Sequence, residues 1–147
     1  MALSLGSNTI IGSVNGSPLD RDYITFTIPP GRMLTHLNLL AFAPDNIAFT
    51  SFNAGATSFI PSGATNALFL SGIHITGADV GKDLMPFYDT RNVTTNSLPG
   101  PNLGPGTYCW LIQQTSAVLT SYTVEFVVEG AVRVDPSTWG MIKALYR

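Results

Sequence analysis

One short segment alternates apolar and polar side chains, and this alternation constrains the fold more than any other feature of the chain. Within residues 23–28, Ile24, Phe26 and Ile28 fall on one side and Tyr23 with two threonines on the other. A period of two is that of a β-strand with one buried face. The following Pro-Pro-Gly cannot continue a hydrogen-bonded ladder. The segment therefore predicts a half-buried strand of fixed register.

Seven further segments favour strands by their β-branched, aromatic and apolar content. They are residues 5–14, 33–42, 47–52, 68–75, 84–88, 108–113 and 122–128. In 33–42 a short helix competes with the strand, and we favour the strand. Segments 108–113 and 122–128 are joined by a short Ser/Thr link, which predicts a hairpin. Many short strands with frequent turns indicate an all-β fold, a jelly-roll-like antiparallel β-sandwich.

Length and charge narrow the class of protein. The chain has 147 residues and is 45% hydrophobic, enough for one domain, which we place at 1–134. Only 11% of residues are charged, and the net charge is -2. A protein without a basic surface gains nothing from counterion release, so nucleic acid is not an expected partner. No apolar run reaches the roughly 18 residues that span a bilayer.

The location of the protein is predicted from composition. Hydroxyl and amide side chains replace charges as the source of solubility, which is typical of extracellular or cell-surface β-proteins. The start of the chain lacks the basic region and the continuous apolar core of a signal peptide. Either the protein is cytoplasmic, or Met1 and Ala2 replaced a signal that was removed.

The last residues, 135–147, break the strand pattern. Trp139, Ile142 and Tyr146 are spaced so that they share one face of a short amphipathic C-terminal helix. Isolated helices shorter than about 12 residues are marginal in water, so this helix must dock on something. We favour docking on its own sandwich, and the alternative is a tail that binds a neighbouring molecule or a sorting apparatus.

Candidate catalytic groups are few, and we predict that the chain is not an enzyme. Cys109 lies in an apolar strand without cationic neighbours, so it is expected to pack as a small hydrophobe. His36 and His74 are each within an apolar segment, and no metal-ligand spacing accompanies them. No cofactor is required by any motif.

An acidic cluster is the best candidate for an ion site. Asp20 and Asp22 alternate in a turn, and Asp45 could be brought near by the sandwich. Carboxylate oxygens are ligands that calcium accepts. The alternative is structural: Asp20 closes a side-chain turn, and Asp22 pairs with an arginine.

Exposed aromatic side chains could stack on a sugar ring. Tyr23 and Tyr88 are the candidates for this role, because Trp110 lies in a strand that is apolar on both faces and should belong to the core.

Three pieces of the chain together resemble one bacterial family. The pieces SPLDRDYITFTIPPG, LLAFAPDNIAFTSFNAG and LGPGTYCWLIQQTSAVLTSYTVEFVV resemble the pre-peptidase C-terminal (PPC-like) domain of secreted bacterial proteins. The resemblance spans roughly residues 3–129. It implies a jelly-roll sandwich, an extracytoplasmic setting and a non-catalytic accessory role, with polymer or calcium binding in some members. Asp20 and Asp22 fall on the acidic opening of that family. Members usually accompany an enzyme domain, and this chain has none.

These observations predict a non-catalytic extracellular module that binds a polymer, with carbohydrate as the favoured class. The alternative is a structural subunit of a bacterial surface layer, shell or filament, which would assemble as a homo-oligomer.

Overall fold

Seven antiparallel strands build the described part of the fold. A computed structural model describes residues 1–17, 19–57, 68–94 and 96–130. The strands are β1 (Gly6–Val14), β2 (Arg21–Ile28), β3 (Arg32–Ala43), β4 (Ala48–Ala54), β5 (Phe69–Ile75), β6 (Gly106–Gln114) and β7 (Thr120–Gly130). Helical structure in the described ranges is limited to a 3-10 turn, Gly77–Asp79, and a one-turn helix α1, Phe87–Thr90.

The strands form two sheets that face each other. One sheet has the order β1-β7-β3 and the other the order β2-β6-β4-β5. The chain changes sheet at each step from β1 to β4 and again from β6 to β7, so most sequence neighbours are not partners in a sheet. This connectivity confirms the predicted all-β, jelly-roll-like antiparallel sandwich.

Large apolar side chains from both sheets fill the space between them. Phe126 of β7 packs on Phe26 of β2, with ring centroids 5.1 Å apart, and meets Trp110 of β6 edge-on at 5.9 Å. All three side chains are buried. Because each ring belongs to a different strand, the core ties β7 of one sheet to two strands of the other.

The predicted alternation of β2 is confirmed. Phe26 and Ile28 are buried in the core with Ile24 against them, and Tyr23 and Thr27 are exposed. Segment 33–42 is a strand and not a helix, because it pairs along its length with β7.

Two predictions about secondary structure are wrong. Segments 108–113 and 122–128 do not form a hairpin: β6 lies between β2 and β4, whereas β7 lies between β1 and β3 in the other sheet. Segment 84–88 is not a strand. It makes turns and enters α1, with the Phe87 amide donating to the carbonyl of Leu84 at 2.9 Å.

The segment between β5 and β6 is held down by one buried carboxylate. Asp79 is 3% exposed and accepts hydrogen bonds from Arg91 at 2.7 Å and 3.1 Å and from the Thr76 amide at 3.1 Å. The guanidinium of Arg91 also lies over the ring of Phe87, 4.4 Å from its centroid. These contacts connect the 3-10 turn to α1.

The predicted C-terminal helix with Trp139, Ile142 and Tyr146 lies outside the described residues, and so does the boundary predicted at 134. No helix in the described ranges has the length and apolar character needed to cross a membrane.

Candidate binding face

The four-stranded sheet has one face in the core and one face turned away from the other sheet, here called the outer face. Period-two alternation assigns its residues, because their sequence neighbours belong to the core cluster. Two rows of cross-strand partners run over it from β2 to β5. The first row is Arg21, Gln113, Phe49 and His74, and the second is Tyr23, Leu111, Ser51 and Gly72. In the second row Leu111, Ser51 and Gly72 are buried, and Tyr23 is the exposed residue.

Aromatic rings occupy two places on the outer face. Tyr23 is 48% exposed on β2. On β4, the ring of Phe49 meets that of His74 at 5.7 Å and lies so close to Gly72 that a β-carbon there would be 2.6 Å from its Cζ. Tyr23 and Phe49 are two strands apart, roughly 10 Å at normal strand spacing.

Three polar atoms of the outer face have no hydrogen-bond partner. They are Nε of Arg21, Oε1 of Gln113 and Oγ of Ser51, all enclosed beneath the surface. Native proteins pair nearly all such atoms, so three on one face are unusual. Arg21 and Gln113 are direct cross-strand partners, a donor beside an acceptor.

The charge of the outer face is positive around Arg21. Its acidic sequence neighbours lie on the other side of β2. Asp22 accepts a 2.7 Å hydrogen bond from the hydroxyl of Tyr122, and Asp20 is near enough to that hydroxyl to help raise its pKa, an effect smaller than those of burial and Asp22. Neither carboxylate therefore lies on the outer face with Arg21.

The prediction that Tyr88 binds a ligand together with Tyr23 is wrong for Tyr88. Its side chain is fully buried, and its hydroxyl shares hydrogen bonds with Thr50 and the indole of Trp110, both at 2.7 Å. Burial raises the pKa of Tyr88. A ring held in this way cannot stack on a sugar, so Tyr88 is a core residue. Trp110 is a core residue as predicted.

The three acids of the predicted calcium site make separate contacts. Asp22 bonds Tyr122, and Asp45 accepts a 2.7 Å hydrogen bond from the amide of Gly77. Asp20 is exposed, and the side-chain turn before β2 is closed by Asn15, whose Oδ1 accepts from the Ser17 amide. Within the described ranges, no group of three His, Cys, Asp or Glu side chains is arranged to hold a metal ion.

The histidines do not build a nucleophilic site in the described part of the chain. Nδ1 of His36 lies 2.8 Å from Asp83, whose other oxygen accepts from the amides of Leu37 and Met85. No serine or cysteine is bonded to His36 there. Cys109 is buried, and burial raises the pKa of its thiol, as expected of a packing residue.

A cavity of about 320 Å³ lies apart from the two rows of the outer face. Its lining comes from α1 and the segments before and after it, with Met85, Leu98 and Pro101 as apolar walls and Asp89 as its charged group. The unpaired polar atoms of the outer face do not line it.

Tyr23 remains a predicted ligand-binding residue, and the structure places it exposed on the outer face, where its neighbours were not predicted. The alternation of β2 carries part of the signal, because Arg21 is two residues before Tyr23 and shares its side of the strand. Gln113, Phe49 and Ser51 could not be added, since nothing in the sequence says that β6 and β4 follow β2 in the sheet.

Comparisons with known proteins add one structural likeness. No protein-family profile and no curated protein matches the chain. Among solved structures, PliG of Salmonella Typhimurium, a periplasmic inhibitor of g-type lysozyme, is similar. The two are 13% identical, the match covers 88% of this chain and 96% of PliG, and the TM-score is 0.42. A likeness at this level indicates neither a ligand nor a partner.

Proposed function

We propose that the chain is a non-catalytic, extracytoplasmic binding module of the PPC-like kind, and that its outer face binds a carbohydrate polymer. The observation that supports this most is the combination on one face of exposed Tyr23 with the unpaired polar atoms of Arg21 and Gln113. Sugars offer both an apolar ring face and many hydroxyls, so they suit a face where an exposed aromatic ring lies near unpaired hydrogen-bonding groups just beneath the surface.

The unpaired atoms supply a reason for binding. A buried polar group without a partner costs about 1–3 kcal/mol. A ligand hydroxyl that draws the amide of Gln113 and the guanidinium of Arg21 into hydrogen bonds would recover part of that cost. Tyr23 would cover the sugar ring on the β2 side, with Phe49 and His74 as the aromatic boundary on the far side.

Affinity electrophoresis tests the proposal. The purified chain is run in native gels that contain neutral or acidic polysaccharides, beside Tyr23→Ala and Leu40→Ala. Leu40 is a matched control, because it is similarly exposed, at 45%, but lies on the other sheet. We expect at least one polysaccharide to retard the wild type and Leu40→Ala but not Tyr23→Ala. An unchanged mobility of the wild type in every gel would reject carbohydrate as the ligand.

The second candidate function is a structural subunit of a surface layer, shell or filament. One observation favours it: in the part of the chain that the structure describes, no strand pairs with the outer edge of β1, and another chain could add a strand there. Light scattering across a concentration series separates the candidates, because a structural subunit assembles into particles of many copies and a binding module does not.

A further inference from the structure

The two sheets have four edges, and other parts of the chain contact three of them. The edge of β3 exchanges backbone hydrogen bonds with the segment after β5: it accepts from the amides of Gly81, Leu84 and Leu103 and donates to the carbonyls of Lys82 and Leu103. The edge of β5 is met by the amide of Val93, which donates to the Gly72 carbonyl at 2.9 Å. On β2, Thr27 bonds Met1 and Leu3 at 2.9 Å and 3.0 Å, so this edge is covered at one end.

The edge of β1 is open. β1 pairs on one side with β7 from Gly6 to Val14, and within the described ranges no strand lies on its other side. Only its two ends are met by side chains: Asn8 donates to the Gly6 carbonyl at 3.0 Å, and Gln114 donates to the Val14 carbonyl at 2.6 Å. Between these ends, the outward N–H and C=O groups make no backbone hydrogen bond to the described part of the chain.

β1 lacks the features that usually protect an edge strand. Its nine residues, GSNTIIGSV, include no charge and no proline. Its pairing with β7 has no register shift, whereas β3 has two. Ile11, in the middle of the strand, is 77% exposed, more than any other large hydrophobic side chain in the described ranges. A straight, uncharged edge with an exposed isoleucine is suited to pairing with another strand.

We propose that β1 pairs antiparallel with β1 of a second copy, which joins the two three-stranded sheets into one continuous six-stranded sheet. A second copy fits because the strand is uncharged, so no like charges meet across the two-fold axis. Full overlap places the axis at Ile10, and each Ile11 then lies beside Thr9 of the second copy. An antiparallel pair of identical strands closes on itself, so the product is a dimer and not a filament.

Sedimentation equilibrium across a concentration series tests the pairing. We expect the wild type to approach twice the chain mass of 15.7 kDa. Ile11→Lys should remain at the monomer mass, because it puts two ammonium groups at neighbouring positions across the axis. Leu40→Lys adds the same charge to the solvent-facing side of the same sheet, on β3, and should dimerise like the wild type. Circular dichroism checks that each variant is folded.

Ser13→Lys is a second test on the same strand, should Ile11→Lys fail to fold. The Ser13→Lys protein should contain more monomer than the wild type at the same concentration, since the substitution places a charge near each end of the paired strands. A wild type that stays monomeric at all concentrations would overturn the proposal. The proposal would also be overturned if either lysine variant folds and still dimerises like the wild type. Assembly into particles larger than a dimer would overturn it as well. The glycan gels are independent of these outcomes, because Tyr23 lies on the other sheet.

Discussion

The indole Nε1 of Trp110 on β6 donates a 2.7 Å hydrogen bond to the hydroxyl of Tyr88 in α1. Both side chains are fully buried. The same hydroxyl lies 2.7 Å from Oγ1 of Thr50, and the Tyr88 carbonyl accepts from Ser71 at 2.6 Å. One tyrosine thus connects α1 to β6, β4 and β5, and the short helix is part of the core.

Tyr88→Phe should destabilise the protein, because it leaves the indole of Trp110 and the hydroxyl of Thr50 without this partner. A buried polar group that loses its partner costs about 1–3 kcal/mol, and we expect a loss of that order in the free energy of unfolding. Urea denaturation measures it. Tyr23→Phe is the control, because Tyr23 is exposed and its hydroxyl has no role in the core. Equal stability of Tyr88→Phe and the wild type would contradict the prediction.

The protein should lose stability in alkali. Burial raises the pKa of both Tyr88 and Tyr122 above the ordinary value of 10.0, and the hydrogen bond to Asp22 adds to the shift at Tyr122. Above that value an unfolded tyrosine releases its proton while the folded one keeps it, so the free energy of unfolding falls as pH rises. Urea titrations between about pH 8 and 11 measure this slope. Tyr88→Phe should reduce it, and a flat profile for the wild type would disprove the assignment.

Asp79 should support the fold at neutral pH and lose that effect in acid. The hydrogen bonds from Arg91 are the largest of the contacts that lower its pKa below 3.8. The contribution is complete above the unfolded value and disappears as pH falls through the folded value. Asp79→Asn should therefore be less stable than the wild type at neutral pH, and the difference should shrink in acid. Thermal melts across the acid range measure both, with Asp89→Asn as an exposed control. A difference that does not change with pH would argue against the ion pair.

Gly12→Ala should destabilise the packing between the sheets. A β-carbon at Gly12 would lie 2.6 Å from Cζ of Tyr122 and 2.9 Å from the Asp22 carboxylate, so the hydrogen bond between these residues would have to shift. Overpacking of this kind typically costs about 1–3 kcal/mol. Gly104→Ala is the matched control, because an added β-carbon there meets no atom within 4 Å. If chemical denaturation gives the two variants the same free energy of unfolding, the close packing of Tyr122 against Gly12 does not contribute to stability.

Arg21→Gln should alter the choice of ligand on the proposed binding face. Arg21 is the cation in its row, and its acidic neighbours face the other way, so acidic polysaccharides should retard the wild type more than neutral ones. Arg21→Gln should remove this preference, and added salt should weaken it, because charge attraction is screened. Affinity electrophoresis in polygalacturonate and in a neutral polysaccharide measures both effects. If acidic gels retard Arg21→Gln as much as the wild type, the charge of Arg21 has no role in binding.

Local patterns predicted seven of the eight strand segments correctly, with 84–88 as the exception, and they predicted much of the core. The alternation in β2 predicted which side of the strand is buried, because side chains of a strand point to opposite faces whatever the rest of the fold does. The apolar run around Trp110 predicted a strand that is buried on both sides. Tyr23 was correctly placed on the solvent side for the same reason.

Partners in space depend on contacts between distant parts of the chain. β6 and β7 are close in sequence, yet each is bonded to other strands, because the link between them crosses from one sheet to the other over roughly 10 Å. The burial of Tyr88 depends on Trp110 and Thr50, which are distant in sequence, and the outer face requires β2, β6, β4 and β5 to be neighbours. Alternation along one strand is a local property of the backbone, so the sequence is enough to predict it. The order of strands is decided by which long-range pairings bury the most apolar surface together, and only the folded chain contains that information.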